Sequence, residues 1–290
     1  MKKVTLVATD LDGTLLTGKK KVTDKTRNAI QQLKNRGIIL GIASGRPVES
    51  TLLLSKDWGL DEDVSFLIGM NGGTIYDIRR DEKEEFHLMK GETILEIVEH
   101  FKDMNVVFQI MVGNKRYTNR SIPETQAHAK LFGEIEIEVD LETFLKGKEV
   151  NKLILYLLNP EEMDLVKERA ATFSSPNYTS FQTADNLYEY VDPNINKGFG
   201  IRRVCEHFGV DIQDVVAFGD AANDKELIEA VGMGVAMKNA SDDIKAVADF
   251  VSEYTNEEDA LGHFVEEYVN PTQTNVLDID ANLRKKGAKK

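Results

Sequence analysis

The run Val4 to Thr9 constrains this chain most: it is β-rich, apolar on both faces, and stops at two aspartates one residue apart, Asp10 and Asp12. A strand that is apolar on both faces belongs inside a parallel sheet covered by helices, not at a solvated edge. The next segments keep that rhythm. Thr23 to Arg36 places Ala29, Ile30 and Leu33 at helical spacing, with Gly37 as its stop. Ile38 to Ala43 is a second buried strand, and Phe66 to Gly69 a third, before the turn Asn71-Gly72-Gly73. Strand, helix, strand in this order predicts an α/β fold with a doubly wound, Rossmann-like parallel sheet.

The middle of the chain reads differently. Ile94, Ile97, Val98 and Phe101 recur at helical spacing. Val106 to Val112 and Lys115 to Thr118 form a hairpin around Gly113-Asn114. Lys152 to Leu158 is a strand, Glu161 to Phe173 a helix, and Tyr178 to Thr183 with Leu187 to Val191 a second hairpin. Strand pairs with intervening helices predict an α+β module. After Asn196 the first rhythm returns, with a helix over Lys197 to Phe208, a strand over Val215 to Phe218 and a helix over Asp224 to Ala230. Short strands come next at Gly234 to Ala236 and at Phe250-Val251. The division expected is a core in two parts, residues 1–83 and 193–272, an inserted α+β cap over 84–192, and a basic tail over 273–290. A length of 290 residues exceeds one ordinary hydrophobic core, which agrees with two domains.

Charge narrows the function. The formal net charge of -13 argues against nucleic acid as a partner, because such binders carry a basic face. An anionic small molecule stays possible, since a metal ion or a lysine can reverse the local field. The single cysteine, Cys205, allows no intrachain disulfide, which fits a reducing compartment. It shares an apolar helical stripe with Ile201, Val204 and Phe208, so a buried packing role is expected. The apolar run after Met1-Lys2-Lys3 is too short for a signal peptide, and no stretch has the length of a membrane span. The expectation is a cytoplasmic protein with no membrane contact and no obligate protein partner.

Four segments carry chemistry. Asp10-Leu11-Asp12-Gly13-Thr14 comes directly after the first strand, and in an open α/β sheet the working crevice lies at the carboxyl ends of the strands. There Asp10 can serve as a nucleophile and Asp12 as a general acid and base, with Gly13 turning the chain sharply. An Asp-Gly turn alone is also a common polar exit from a strand. Ser44-Gly45-Arg46 offers a hydroxyl and an amide to a phosphate oxygen, or simply caps a helix. Lys197, in Asn196-Lys197-Gly198, can set a positive charge beside phosphoryl oxygens, although a lysine at a helix start is usually solvated. Gly219-Asp220-Ala221-Ala222-Asn223-Asp224 comes after another strand. Asp10, Asp12, Asp220 and Asp224 at strand ends would repel unless protonated or bridged by a cation. Mg²⁺ suits such a site, because it needs few protein oxygens and completes its shell with water and phosphate.

In this order, the four segments resemble the haloacid dehalogenase superfamily of phosphatases, and the insertion resembles the larger α+β cap of its Cof-type branch. The resemblance spans nearly the whole chain apart from the basic tail. It implies hydrolysis of a small phosphorylated metabolite, such as a sugar phosphate, through an aspartyl phosphate. It implies that Asp10 attacks phosphorus, that Asp12 is the acid/base, and that Asp10, the Asp12 carbonyl and Asp220 ligate Mg²⁺. It further implies that Asp224 supports the metal shell or orients Lys197. Ser44, the Gly45 amide, Lys197 and Asn223 would hold the phosphate. The Asp10/Asp12 pair separates the chain from dehalogenases, which lack the second acid. Leu227 departs from a methionine found in many relatives, and Asn71-Gly72 matches a recurrent turn near the site. A phosphosugar mutase of the same branch and a non-catalytic phosphometabolite sensor are the competing readings. Lys115, Arg116 and Arg120 can reach a substrate or form a solvated hairpin, and both readings stand on sequence alone.

Overall fold

The strand Leu6–Thr9 is buried at every residue, because a parallel strand lies on either side of it: Val215 to Phe218 on one, Ile39 to Ile42 on the other. The computed structural model describes residues 2–268 and 276–277, which fall into two compact units. The first unit comprises residues 2–44, 55–83 and the described residues from 196 onward. Its sheet has eight strands in the order Phe250–Val251, Met233–Ala236, Val215–Gly219, Leu6–Thr9, Ile39–Ala43, Phe66–Gly69, Thr74–Asp77 and Glu82–Glu85. The first six run parallel, and Thr74–Asp77 turns back antiparallel to Phe66–Gly69. Asp24–Asn35 packs on Ala260–Tyr268, and Lys197–Phe208 on Lys225–Ala230.

Local chemistry accounts for these helices. The Thr23 hydroxyl accepts from the Thr26 amide at the start of Asp24–Asn35, while Ala29, Ile30 and Leu33 bury one face. Asn196 caps Lys197–Phe208 in the same way, accepting from the Phe199 amide, and Gly209 ends the helix at φ 66 in the left-handed region. That helix buries Ile201, Val204 and Cys205. Burial raises the Cys205 thiol to about 11, so it is a protonated, packed side chain at neutral pH.

The second unit comprises residues 45–54 and 84–195. Its six-stranded sheet runs Ile135–Glu138, Lys115–Thr118, Val106–Val112, Lys152–Leu157, Leu187–Val191, Thr179–Ala184. All neighbours are antiparallel except Ile135–Glu138, which lies parallel to Lys115–Thr118. The helix Pro123–Leu131 makes that parallel crossover possible. One sheet face presents Phe108, Ile110, Leu153, Leu155 and Tyr190 to Ile94, Ile97 and Val166 from two helices, forming a continuous apolar core.

The alternate residues face the other way, and several are charged yet buried. Arg116 does not reach solvent: it donates from Nε to Glu134 at 2.8 Å, and both side chains are 3% exposed. It also donates to His128 Nδ1, and burial together with Arg116 lowers His128 to about 4, so the ring stays neutral. Lys152 pairs with Glu189 at 2.9 Å in the same layer. Truncating one partner of a buried pair strands the other charge. Glu134→Ala should therefore cost about 3 kcal/mol in urea unfolding, whereas an apolar pair at both 116 and 134 should recover most of it.

Several elements are found beyond the expected ones: Val48–Trp58, Thr74–Asp77, Glu82–Glu85, Pro123–Leu131, Ile135–Glu138, Leu141–Leu145, Asp242–Val247 and Ala260–Tyr268. The basic tail lies outside the described residues, save Val276–Leu277, which pairs with Lys2–Lys3. No helix among the described residues is long and apolar enough to cross a membrane.

Candidate active site

Three neighbouring parallel strands deliver the first residues of the site. Asp10 leaves the end of Leu6–Thr9 with its amide still bonded to Phe218 O at 3.0 Å. Asp220 leaves Val215–Gly219, where Phe218 stands opposite Thr9. Ser44 leaves Ile39–Ala43, where Ile42 stands opposite Thr9. Because the strands are parallel and in register, residues about 210 positions apart in sequence meet at one sheet end. Ser44 is buried, its amide donating to Ile68 O and its carbonyl accepting from Asn71. Gly45, the next residue, begins the 45–54 segment of the second unit.

Lys197 stands at the start of its helix and is 0% exposed. Its ammonium lies 2.6 Å from Asp10 Oδ1 and 2.5 Å from Asp224 Oδ1. The other oxygen of Asp224 accepts from the amides of Asp220 and Ala221 at 2.9 and 3.0 Å. Asp224 thus ties the lysine to the loop that carries Asp220. Asp10, Asp220 and Asp224 each present an oxygen within 4.8 Å of the others. Asp12 is not one of these three, although its charge adds to the rise of Asp220. The Asp12 carboxylate lies 2.6 Å from Lys20 and is partly exposed. Asn223 donates from its amide to Asn71 Oδ1 at 3.0 Å, and Asn71 has φ 56, inside the turn Met70–Gly72.

Ionising Asp10 and Asp220 costs free energy here. Burial raises Asp10 to about 8; Lys197 opposes the rise, while Asp224 and Asp220 add to it. Burial also raises Asp220 to about 6, against the hydrogen bond from Thr14. Burial alone would lower Lys197, but the two carboxylates outweigh it and hold the ammonium charged well above its ordinary range. A protonated Asp10 is a poor nucleophile. Three oxygen donors, buried at Asp10 and Asp224 and half-buried at Asp220, two of which hold protons above the usual carboxylate range, suit a hard divalent cation, which would displace those protons.

Two neighbours explain why the chain can come this close. Gly13 has φ +89, and a Cβ there would lie 2.4 Å from Asp220 Oδ2, so only glycine fits. The Thr14 hydroxyl donates to Asp220 Oδ1. Thr14 and Asn71 lie in segments that stand out in the sequence but carry no role there; Lys20 and Asn239 give no sequence signal at all. The partners of Thr14, Asn71, Lys20 and Asn239 lie 206, 152, 8 and 226 positions away.

A model of the haloacid dehalogenase-like hydrolase family matches residues 7–265. The phosphatase YwpJ of Bacillus subtilis is 26% identical over 289 residues, covering 90% of this chain and 98% of YwpJ. The 5-amino-6-(5-phospho-D-ribitylamino)uracil phosphatase YitU of the same organism is 27% identical over 270 residues, covering 91% and 97% of the two chains. A crystal structure of a haloacid dehalogenase-like hydrolase from Bacteroides thetaiotaomicron superposes with a TM-score of 0.81 at 27% identity, covering 91% of this chain and 99% of the other. With the site geometry and a family match over most of its length, the chain belongs to the haloacid dehalogenase-like hydrolases, in their Cof-type branch.

Proposed function

We propose that the protein is a Mg²⁺-dependent phosphatase that hydrolyses small phosphorylated metabolites, sugar phosphates foremost, through a phosphorylated Asp10. The observation that carries this reading is the buried Lys197 ammonium between Asp10 and Asp224, with Asp220 beside them. An Asp10 oxygen attacks phosphorus and the bond to the leaving oxygen breaks. Asp12 gives that oxygen its proton. Asp12 then takes a proton from water, whose oxygen attacks phosphorus, breaks the Asp10–phosphorus bond and frees inorganic phosphate. Ser44, the Gly45 amide, Lys197 and Asn223 hold the phosphoryl oxygens. Asp224 orients Lys197. Asp10, Asp220 and the Asp12 carbonyl would hold Mg²⁺, which supplies positive charge to the transferring phosphoryl group.

One similarity favours a phosphorylated polyhydroxyl compound. YitU, similar over nearly the full length, is named for a substrate whose phosphate sits on a ribityl chain. A sugar phosphate offers the same phosphorylated polyol to the site. The test is a screen of phosphorylated sugars, sugar alcohols and nucleotides with and without Mg²⁺. Release of free phosphate from sugar or sugar-alcohol phosphates is expected, with at least about a hundredfold loss in EDTA and recovery on adding Mg²⁺. Isomerised sugar phosphate without free phosphate would indicate a mutase, and saturable binding without turnover a sensor.

A further inference from the structure

The turn after Asp12 is held from outside by two asparagines. Asn239 Nδ2 donates to Gly13 O at 2.8 Å, and Asn239 Oδ1 accepts from the amide of Asn256 at 3.1 Å. Asn256 Nδ2 in turn donates to Leu16 O at 2.8 Å. Gly13 O can only accept and the Asn256 amide can only donate, so the orientation of the Asn239 amide is forced. Glu257, next in sequence, accepts from the Gly18 amide. Both ends of the Gly13–Leu16 turn are therefore bonded to one polar cluster.

The cluster is itself anchored to the strand ends of the site. Met237 N donates to Gly219 O at 3.1 Å and Ser241 N to Asp220 O at 3.2 Å, so the turn bearing Asn239 hangs from the loop bearing Asp220. Lys238 N donates to Tyr254 O at 3.1 Å, joining it to the segment that leads to Asn256. Asn239 is exposed. An exposed asparagine would ordinarily spend both ends on water, yet here both are committed to backbone. The peptide after Asp12 meets Asp220 at the Gly13 Cα and Asn239 at the Gly13 carbonyl. Asn239 thereby sets the path of the chain out of Asp12 without touching the Asp10–Lys197–Asp224 group.

We propose that Asn239, backed by Asn256, is a positioning residue for the acid/base step: it fixes the turn from which Asp12 delivers its proton to the leaving oxygen. This rests on the reading of Asp12 as acid/base. A proton donor matters most when the leaving oxygen is basic, so the defect must depend on the leaving group. Asn239→Ala and Asn239→Asp, the latter setting a carboxylate oxygen against Gly13 O, are compared with the parent on a sugar phosphate and on para-nitrophenyl phosphate. The readout is kcat/KM, which reports steps through leaving-group departure. For the sugar phosphate it should fall about 10- to 100-fold, the scale of a misplaced catalytic group, and for the nitrophenyl ester less than about threefold. The Mg²⁺ half-saturation should stay within about threefold, because the Asp10 and Asp220 carboxylates are untouched and only the Asp12 carbonyl lies next to the loosened turn.

Equal losses on both esters, no loss on either, or a loss matched by weakened Mg²⁺ binding would overturn the proposal. Thermal unfolding checks that each variant is folded. Should the Asn239 variants not fold, Asn256→Ala carries the same expectation and its leaving-group ratio decides. A parent that hydrolyses neither ester removes the phosphatase reading and this inference with it. A parent that hydrolyses both, beside variants with an unchanged ratio, sinks this inference alone.

Discussion

Asp10→Asn will lower kcat by about four orders of magnitude or more, the scale seen when a covalent nucleophile is removed, while the protein stays folded. The stability of this variant gives a second, independent reading of the site. Asp10 has an ordinary value of 3.8 and is raised to about 8 in the folded, metal-free chain. Between those values the folded chain keeps a proton on Asp10 that the unfolded chain has released. The folded state therefore binds more protons, and stability falls as pH rises from about 4 to about 8, then levels. Asparagine resembles the protonated acid and does not titrate. In EDTA, urea unfolding should show the variant more stable than the parent at pH 8, with the gap closing near pH 4. The slope left below pH 6 belongs to Asp220, which is raised in the same direction. Parallel pH profiles for the two proteins would show that Asp10 does not carry the proton assigned to it.

Lys197→Met should be the most destabilising single change in the first unit. The ammonium is fully buried and makes two short bonds to carboxylates. Methionine fills much the same space but leaves Asp10 and Asp224 facing each other without a cation. Breaking a buried ionic group in this way costs about 3–5 kcal/mol. The loss should grow with pH, because without the ammonium the Asp10 carboxyl rises further and the folded state holds still more protons than the unfolded one. Saturating Mg²⁺ should restore part of it, since only the folded state gathers Asp10, Asp220 and the Asp12 carbonyl. Turnover should fall about 10²- to 10³-fold, as on removing one preorganised donor to a developing charge. Urea titrations at pH 5 and pH 8, with and without Mg²⁺, test this. A loss independent of both would place Lys197 in packing rather than in charge balance. Arginine is no conservative replacement, because its planar fork cannot occupy a pocket shaped around a compact ammonium.

The residues that can be placed from sequence are those whose structure is decided within a few positions. Phe66–Gly69 and Phe250–Val251 are found as expected, since short β-rich runs bounded by turn residues have few alternatives. Lys197–Phe208 is found with both ends as read, because Asn196 and Gly209 mark them. The hairpin of Val106–Val112 and Lys115–Thr118 is set by Gly113-Asn114. Elements without such local marks escape a reading of this kind. Glu82–Glu85 has no apolar residue and is a strand only because it closes the edge of a sheet. Val48–Trp58 carries Ser50, Thr51 and Ser55 on buried positions, so its polar residues hide the expected apolar stripe.

The site divides along the same line. That Asp10, Ser44 and Asp220 come directly after strands and that Lys197 opens a helix is legible in the sequence, because each of those boundaries is marked locally. The burial of Arg116 against Glu134 and of Lys152 against Glu189 is not legible in the sequence. Nor does the sequence say that Lys197 bridges Asp10 to Asp224, that Thr14 holds Asp220, or that Asn239 reaches Gly13. Which residues stand at the ends of strands and helices is a local matter, readable from the chain, since hydrogen bonding and hydrophobic period act over a few residues. Which of those ends meet is known only once the chain is folded, because it depends on strand order and register, set by pairing between segments up to about 200 positions apart.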